Sequence, residues 1–212
     1  LEAIESQNVE FFQIRVLEGD DASCLNLNRV QRPRILGIDP VTLAKRGSFR
    51  FVQILDDLDR DSGWLILKKQ IDENAFPAVV DQSVATRGLD KSLGDTLTYG
   101  DESGREVRFK LVGGLASSIF QGSILVSESA LRERFPTASS NRLFLIDGPE
   151  MVIPEITELL QDGMQDYGIE PVQTSVRLSE FNQVENTYLS IFLALGGMGF
   201  IRGDLIPALR NE

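Results

Sequence analysis

The sequence predicts an α+β fold, and three observations carry the prediction. Residues 94–114 have the pattern of a β-hairpin: Thr96-Leu97-Thr98-Tyr99, a polar turn from Gly100 to Gly104, then Val107, Phe109 and Leu111 alternating with Arg108 and Lys110. Residues 143–178 read as strand, helix and strand, in that order. The composition, 42% hydrophobic and 25% charged over 212 residues, is that of an ordinary globular chain. A chain of this length buries roughly 70% of its unfolded surface and needs no metal or disulfide to hold a core.

Taken in order, the first element is a strand over residues 9–17. There Phe12, Ile14 and Val16 alternate with Gln13 and Arg15 until Glu18-Gly19-Asp20-Asp21 stops the pattern, so one face is expected to be buried. After Pro33, residues 34–38 form a short apolar strand. Asp39-Pro40 then opens a short helix, with Asp as N-cap and Pro at the first helical position, and Gly47 ends it. A second short helix is expected near residues 64–70, followed by a brief buried strand over residues 77–81.

Beyond the hairpin, residues 123–126 continue as a strand, and Ser127 caps a short helix running to about Phe135. Residues 143–146 form the next strand. In the helix that begins at Pro154, Ile156, Leu159, Leu160, Met164 and Tyr167 recur at spacings of three and four, which predicts a helix lying across a sheet. Gly168 stops it, and residues 171–178 return as a strand. The last segment differs from the rest. Polar residues 181–187 lead into 188–201, an uncharged run that ends at Arg202. At 14 residues the run falls short of the ~20 a bilayer-spanning helix needs, so it reads as the start of an interrupted span.

Several classes of chemistry find no support in the sequence. The formal charge of -11 repels nucleic acid, and no Lys/Arg stripe with interleaved aromatics offsets it. Histidine is absent, which removes the commonest general base, the usual Ser and Cys triads and most zinc sites. The single cysteine, Cys24, follows two acids with no cation beside it, so a packed, inert thiol is expected. Asp57, Asp59 and Asp61 alternate as in a calcium loop, but Ser62 stands where the loop needs Gly and Lys68 where it needs a bidentate Glu. A solvated acidic turn fits better.

The glycines at 94, 100, 104, 113 and 114 form no phosphate-binding motif. Asp20 and Asp21, adjacent in sequence, suit a turn better than paired catalysis, and Arg202-Gly203-Asp204 is too short a match to use. No catalytic, cofactor-binding or metal-ligating residue is assigned, and no cofactor is expected. The chain does not open on a signal peptide, and it is expected to start mid-protein or after processing.

Three segments carry a family resemblance. Residues 15–28, Arg15-Val16-Leu17-Glu18-Gly19-Asp20-Asp21-Ala22-Ser23-Cys24-Leu25-Asn26-Leu27-Asn28, resemble the start of extracytoplasmic domains in FtsX-like, MacB-type ABC transporter permeases. Leu93-Gly94-Asp95-Thr96-Leu97, the strand into Leu111-Val112-Gly113-Gly114-Leu115, and Ile124-Leu125-Val126-Ser127 resemble that family's central insertion. Residues 180–197 resemble its re-entry helix into the membrane.

The resemblance implies a porter-like α/β subdomain built from both chain ends, 1–75 and 138–190, with a mainly β subdomain, 76–137, inserted between them. It also implies a truncated transmembrane helix starting in 188–201, with 202–212 as a join or tail. The function implied is that of the MacB-like periplasmic core domain of a permease in the cell inner membrane. Such a domain is not an enzyme. Its expected partners are a cytoplasmic ABC ATPase subunit, a second permease copy, and a periplasmic adaptor or exported cargo, with no nucleic acid. Tilting of the membrane helix would move the folded domain as a rigid body. Two other readings stand beside this one: a free-standing soluble periplasmic binding protein or chaperone for an exported ligand, and an enzyme working through carboxylates. If the segment is instead a soluble core helix, Tyr188, Ile191, Phe192 and Leu195 pack inward.

Overall fold

Alternating apolar residues on the central strands feed two different cores. Ile35, Ala78, Val80, Ile124 and Val126 point to one side of a sheet, while Leu36, Val79 and Leu125 point to the other. The strands that carry them are therefore near-continuous hydrophobic runs, as strands covered on both faces must be. The computed structural model describes residues 9–19, 32–72, 75–81, 91–116, 118–164, 166, 168, 170–180 and 183.

The elements are β1 (Glu10–Leu17), β2 (Arg34–Ile38), α1 (Pro40–Arg46), β3 (Phe51–Ile54), a 3-10 stretch (Arg60–Lys68), β4 (Ala75–Asp81), β5 (Thr96–Gly100), β6 (Glu106–Leu115), β7 (Ser123–Ser127), α2 (Glu128–Arg134), β8 (Ser140–Asp147) and α3 (Ile153–Met164). The fold is α+β. One mixed sheet runs β3-β6-β4-β7-β2-β1-β8, with β5 also paired to β6. Only β2 with β7 and β4 with β6 are parallel. β5 pairs with the first half of β6 and β3 with the second, so the two short strands follow one another along the long one.

The strands of residues 76–137 and the strands flanking that span thus belong to one sheet. The chain divides after Ile169 into Leu1–Ile169 and Glu170–Glu212.

On one face, α1 and the 3-10 stretch bring Leu43, Trp64, Ile66 and Leu67 onto Ile14, Val16, Leu36, Ile38, Val79, Val112 and Leu125. Asp39 caps α1 as its sequence predicts: its carboxylate accepts from the Val41 N–H at 3.0 Å, and Gly47 closes the helix in the left-handed conformation, φ 63°. The expected helix at 64–70 forms earlier and tighter, as 3-10 turns broken at Gly63, because Asp59 caps it by accepting from the Asp61 N–H at 3.1 Å. The buried Trp64 indole donates to the Ser48 carbonyl at 2.8 Å.

On the opposite face, Leu131 and Phe135 of α2 and its C-terminal cap join Leu97, Tyr99, Val107, Phe109 and Leu111 from the hairpin. Ser127 accepts from the Ala130 N–H and starts α2. Close approach there depends on Gly37: a Cβ on it would lie 3.0 Å from Leu131 Cδ2 and 3.2 Å from Glu128 Cα. Gly113 plays the same part on the first face, where a Cβ would lie 2.9 Å from the Phe51 ring and 3.1 Å from Ile66.

Two differences from the sequence reading stand out. β3 was not anticipated: its four residues, only Ile54 of them buried, are too few to show a period. The strand expected at 171–178 is helical instead, over 174–180. Gln173 accepts from the Arg177 N–H at 3.0 Å, and Arg177 pairs with Glu180 at 3.1 Å, three residues on. Val172 and Val176 sit four apart, a spacing that suits a helix and a strand equally, and both are exposed. β8 therefore pairs with β1 alone among the described strands. Asp20, Asp21, Cys24, Tyr167, the run 188–201 and the tail 202–212 lie outside the described residues.

Candidate interaction surface

The carboxylates that a sequence reader would try first are occupied with structure. Asp59 caps the 3-10 stretch, and Asp56 faces Arg60 at 3.9 Å on the surface. Asp101 anchors the β5–β6 turn, accepting from the Ser103 and Arg105 N–H groups at 2.8 Å each and from the Arg105 guanidinium at 2.9 Å. Burial pushes the Asp101 carboxyl up, but these hydrogen bonds outweigh it and hold the group below its ordinary range. Glu102 reaches across to the turn after α2 and accepts from the Ala138 N–H at 2.6 Å and the Thr137 N–H at 2.7 Å. Those bonds, Ala138 first, lower its pKa too. The hairpin glycines 100 and 104 flank this anchored turn.

Two buried polar ties went unnoticed in the sequence. Asp81, fully buried at the end of the central strand β4, accepts from Ser118 N–H at 2.8 Å and from Ser118 Oγ at 3.0 Å, fixing the connection between β6 and β7. Tyr99 donates through its hydroxyl to the Pro33 carbonyl at 2.7 Å and ties the hairpin to the entry of β2. A single acid ending an apolar strand, or a tyrosine in alternation, gives no sequence signal of its partner. Among the described residues there is no group of three or more His, Cys, Asp or Glu side chains placed to hold a metal.

What is left is surface. Arg46, at the end of α1, pairs with Glu10 and Asp147 and lies over the Phe12 ring at 4.7 Å, so one guanidinium clamps the helix to the ends of β1 and β8. The other face of those two strands is open and mixes apolar with polar side chains. In register, Phe11 lies opposite Ile146 and Gln13 opposite Phe144, with Phe11 and Phe144 43% and 40% exposed. The signal for this is in the sequence: Phe11 and Phe12 are adjacent on a strand, so one of them must face away from the buried side.

α3 follows the same pattern. Of its predicted apolar face only Ile156 is buried and Leu160 partly so, while Leu159 and Met164 are exposed at 46% and 36% and Met151, just before the helix, at 93%. Exposed apolar side chains thus occur on β1 and β8 and along α3, and also at Val52, on the opposite end of the sheet, and at Leu65, Val172 and Val176; contiguous patches of such residues suit contact with another macromolecule.

No family model matches the chain, and no curated protein matches it. Among solved structures it is similar to the periplasmic region of MacB from Actinobacillus actinomycetemcomitans, at 15% identity and a TM-score of 0.34 over 74% of this chain and 64% of that one. It is also similar to the extracellular domain of the noncanonic ABC-type transporter YknZ from Gram-positive bacteria, at 13% identity and a TM-score of 0.37 over 77% of this chain and 80% of that one. The chain spans less than two thirds of the MacB region.

Proposed function

We propose that this chain is the extracytoplasmic domain of an FtsX-like, MacB-type ABC transporter permease, a binding and force-transmitting module and not an enzyme. It sits on the periplasmic side of the inner membrane. A separate cytoplasmic subunit or domain hydrolyses ATP, a second permease copy completes the membrane part, and an adaptor or exported cargo meets the exposed apolar surface. The observation that supports this reading is the order of unlike segments along the chain: a sheet whose central strands are buried on both faces, then helical residues 174–180, then the uncharged run 188–201. No helix of the described residues is long and apolar enough to cross a membrane. The physical basis of coupling is stiffness. A sheet with close-packed sides has few soft internal degrees of freedom, so motion of a helix leading into the membrane carries the whole domain with it.

The test is fractionation of the complete gene product, tagged and extracted with carbonate and then with detergent. An integral protein that copurifies with an ATPase subunit is the expected result. A product that carbonate releases, with no ATPase partner, refutes the reading and leaves a free-standing binding protein in its place.

A further inference from the structure

Among the described residues Phe49 is the one non-glycine with a positive φ, 66°. A bulky L side chain in that conformation crowds its own backbone, and it persists only where its surroundings hold it. The groups that hold it are two backbone ties and an aromatic cluster. Before it, Gly47 closes α1 by donating its N–H to the Ala44 carbonyl at 3.1 Å; after it, the Arg50 carbonyl accepts from the Ala116 N–H at 2.8 Å. Between these ties the Phe49 ring lies 4.8 Å from the Phe120 ring and 6.0 Å, edge to face, from that of Trp64. Trp64 and Phe120 are buried, whereas Phe49 is only partly so, and its ring therefore fills a slot that reaches the surface.

The preceding residue completes the contact, because the Trp64 indole N–H donates to the Ser48 carbonyl at 2.8 Å. Ser48 and Phe49 are thus held as a ligand would be, by a ring against aromatic neighbours and a carbonyl on the one indole donor. None of these contacts requires the ring to belong to this stretch of chain. The internal occupant, tied on both sides, meets them in the left-handed conformation. An aromatic residue of another chain carries a ring with backbone carbonyls beside it and, tied at neither end, can present them at negative φ. The two occupants compete for the same contacts, and only the internal one is strained.

We propose that Trp64 and Phe120 line a binding slot for an aromatic side chain of a partner peptide, and that Phe49 is its strained internal occupant, displaced when that side chain enters. Displacement also frees the Trp64 N–H from the Ser48 carbonyl, so the incoming peptide must supply an acceptor next to its ring. The slot lies on the α1 face of the sheet and is the same whether or not the chain belongs to a transporter.

The test titrates the chain with N-acetyl-phenylalaninamide, and with N-acetyl-leucinamide as the aliphatic control. Binding is followed by saturation-transfer NMR of the ligand and by the fluorescence of Trp64, the only tryptophan. The wild type is expected to bind the phenylalanine derivative in preference to the leucine one. Phe49→Gly removes the occupant and accommodates the positive φ; it is expected to bind at least about tenfold more tightly, since a site that is open part of the time loses affinity by its open fraction. Phe49→Ala is the second vacated variant, should glycine loosen the loop, and circular dichroism establishes that each is folded. Trp64→Phe added to Phe49→Gly keeps a ring, loses the donor, and is expected to weaken binding by about tenfold, read by NMR. Equal affinity in the wild type and the vacated variants puts the binding elsewhere and overturns the proposal. Binding by the vacated variants alone overturns it too, by making Phe49 an ordinary core residue. Absence of binding in all of them, or no preference for the aromatic ligand, has the same result.

Discussion

Gly37→Ala tests how α2 is seated on the sheet. Gly37 lies in mid-β2, and a methyl there would sit 3.0 Å from Leu131 Cδ2, 3.2 Å from Glu128 Cα and 3.3 Å from Arg15 Cβ. Its φ is not positive, so alanine carries no backbone strain, and the smaller entropy of the unfolded alanine chain contributes about 0.4–1 kcal/mol of stabilisation. Against this stands overpacking of a layer whose helix backbone must move by a few tenths of an ångström, about 1–3 kcal/mol. The net expectation is a loss of about 1–2 kcal/mol.

Leu131→Ala removes a fully buried side chain and alone costs about 2–5 kcal/mol. It also removes the atom closest to the added methyl. The double variant should therefore be less destabilised than the sum of the two by about 0.5–1 kcal/mol, the remainder reflecting the clash with Glu128 Cα, which Leu131→Ala does not relieve. Urea unfolding followed by the fluorescence of Trp64, the only tryptophan in the chain and fully enclosed, measures all four species. A Gly37→Ala variant as stable as the wild type, or strict additivity in the cycle, would refute this account of the α2 contact.

Other consequences follow from the caps and the anchored turns. Asp39→Ala should destabilise the chain by about 1 kcal/mol, read as a lower urea midpoint, because the first turn of α1 loses its acceptor. The pKa values of Asp39, Asp101 and Glu102 are all lowered in the folded chain, that of Asp39 mainly by the Thr42 hydroxyl. The stability these groups contribute is thus fully present above their unfolded values, at about pH 4, and is lost as pH falls through the lower folded ones. Urea midpoints should fall between neutral pH and pH 3, and D101N/E102Q should flatten that fall while lowering the midpoint at neutral pH. Asp162→Lys should raise stability by about 0.3–1 kcal/mol by complementing the C-terminus of α3, read as a higher urea midpoint.

The parts of the fold that were legible in the sequence are those where local chemistry and burial point the same way. Asp39-Pro40 with Gly47, Ser127 before α2, and the Gly100–Gly104 turn each have a local reason that the structure repeats. The parts that were not legible depend on distant partners. Nothing near residues 51–54 announces that the second half of β6 will have a vacant side for β3 to join. The spacing of Val172 and Val176 fits a helix and a strand equally, and no strand edge claims them. For α3 the period was correctly read, yet periodicity states which side chains share a face and not whether anything covers that face. Leu159 and Met164, at the two edges of that face, are exposed.

The parallel pairing of β2 with β7 has a consequence for how the chain reaches this structure. Arg34 must find Ser123, and Glu10 must find Asp147 across β1 and β8, so the sheet is closed by contacts 89 and 137 residues apart. Loops of that length close slowly relative to hairpins and helices, and of the strands they join β2 and β7 are buried almost throughout. A chain that emerges N-terminus first therefore exposes β2 and β4 until β7 has been delivered, a period in which their unpaired edges could join the wrong strand. Among the described strand pairs, β5–β6 has the shortest connection, Asp101–Arg105, and so can form earliest. Delivery in one uninterrupted passage, or a holdase that masks β2 and β4 until β7 arrives, should then decide the yield of folded protein more than its final stability does.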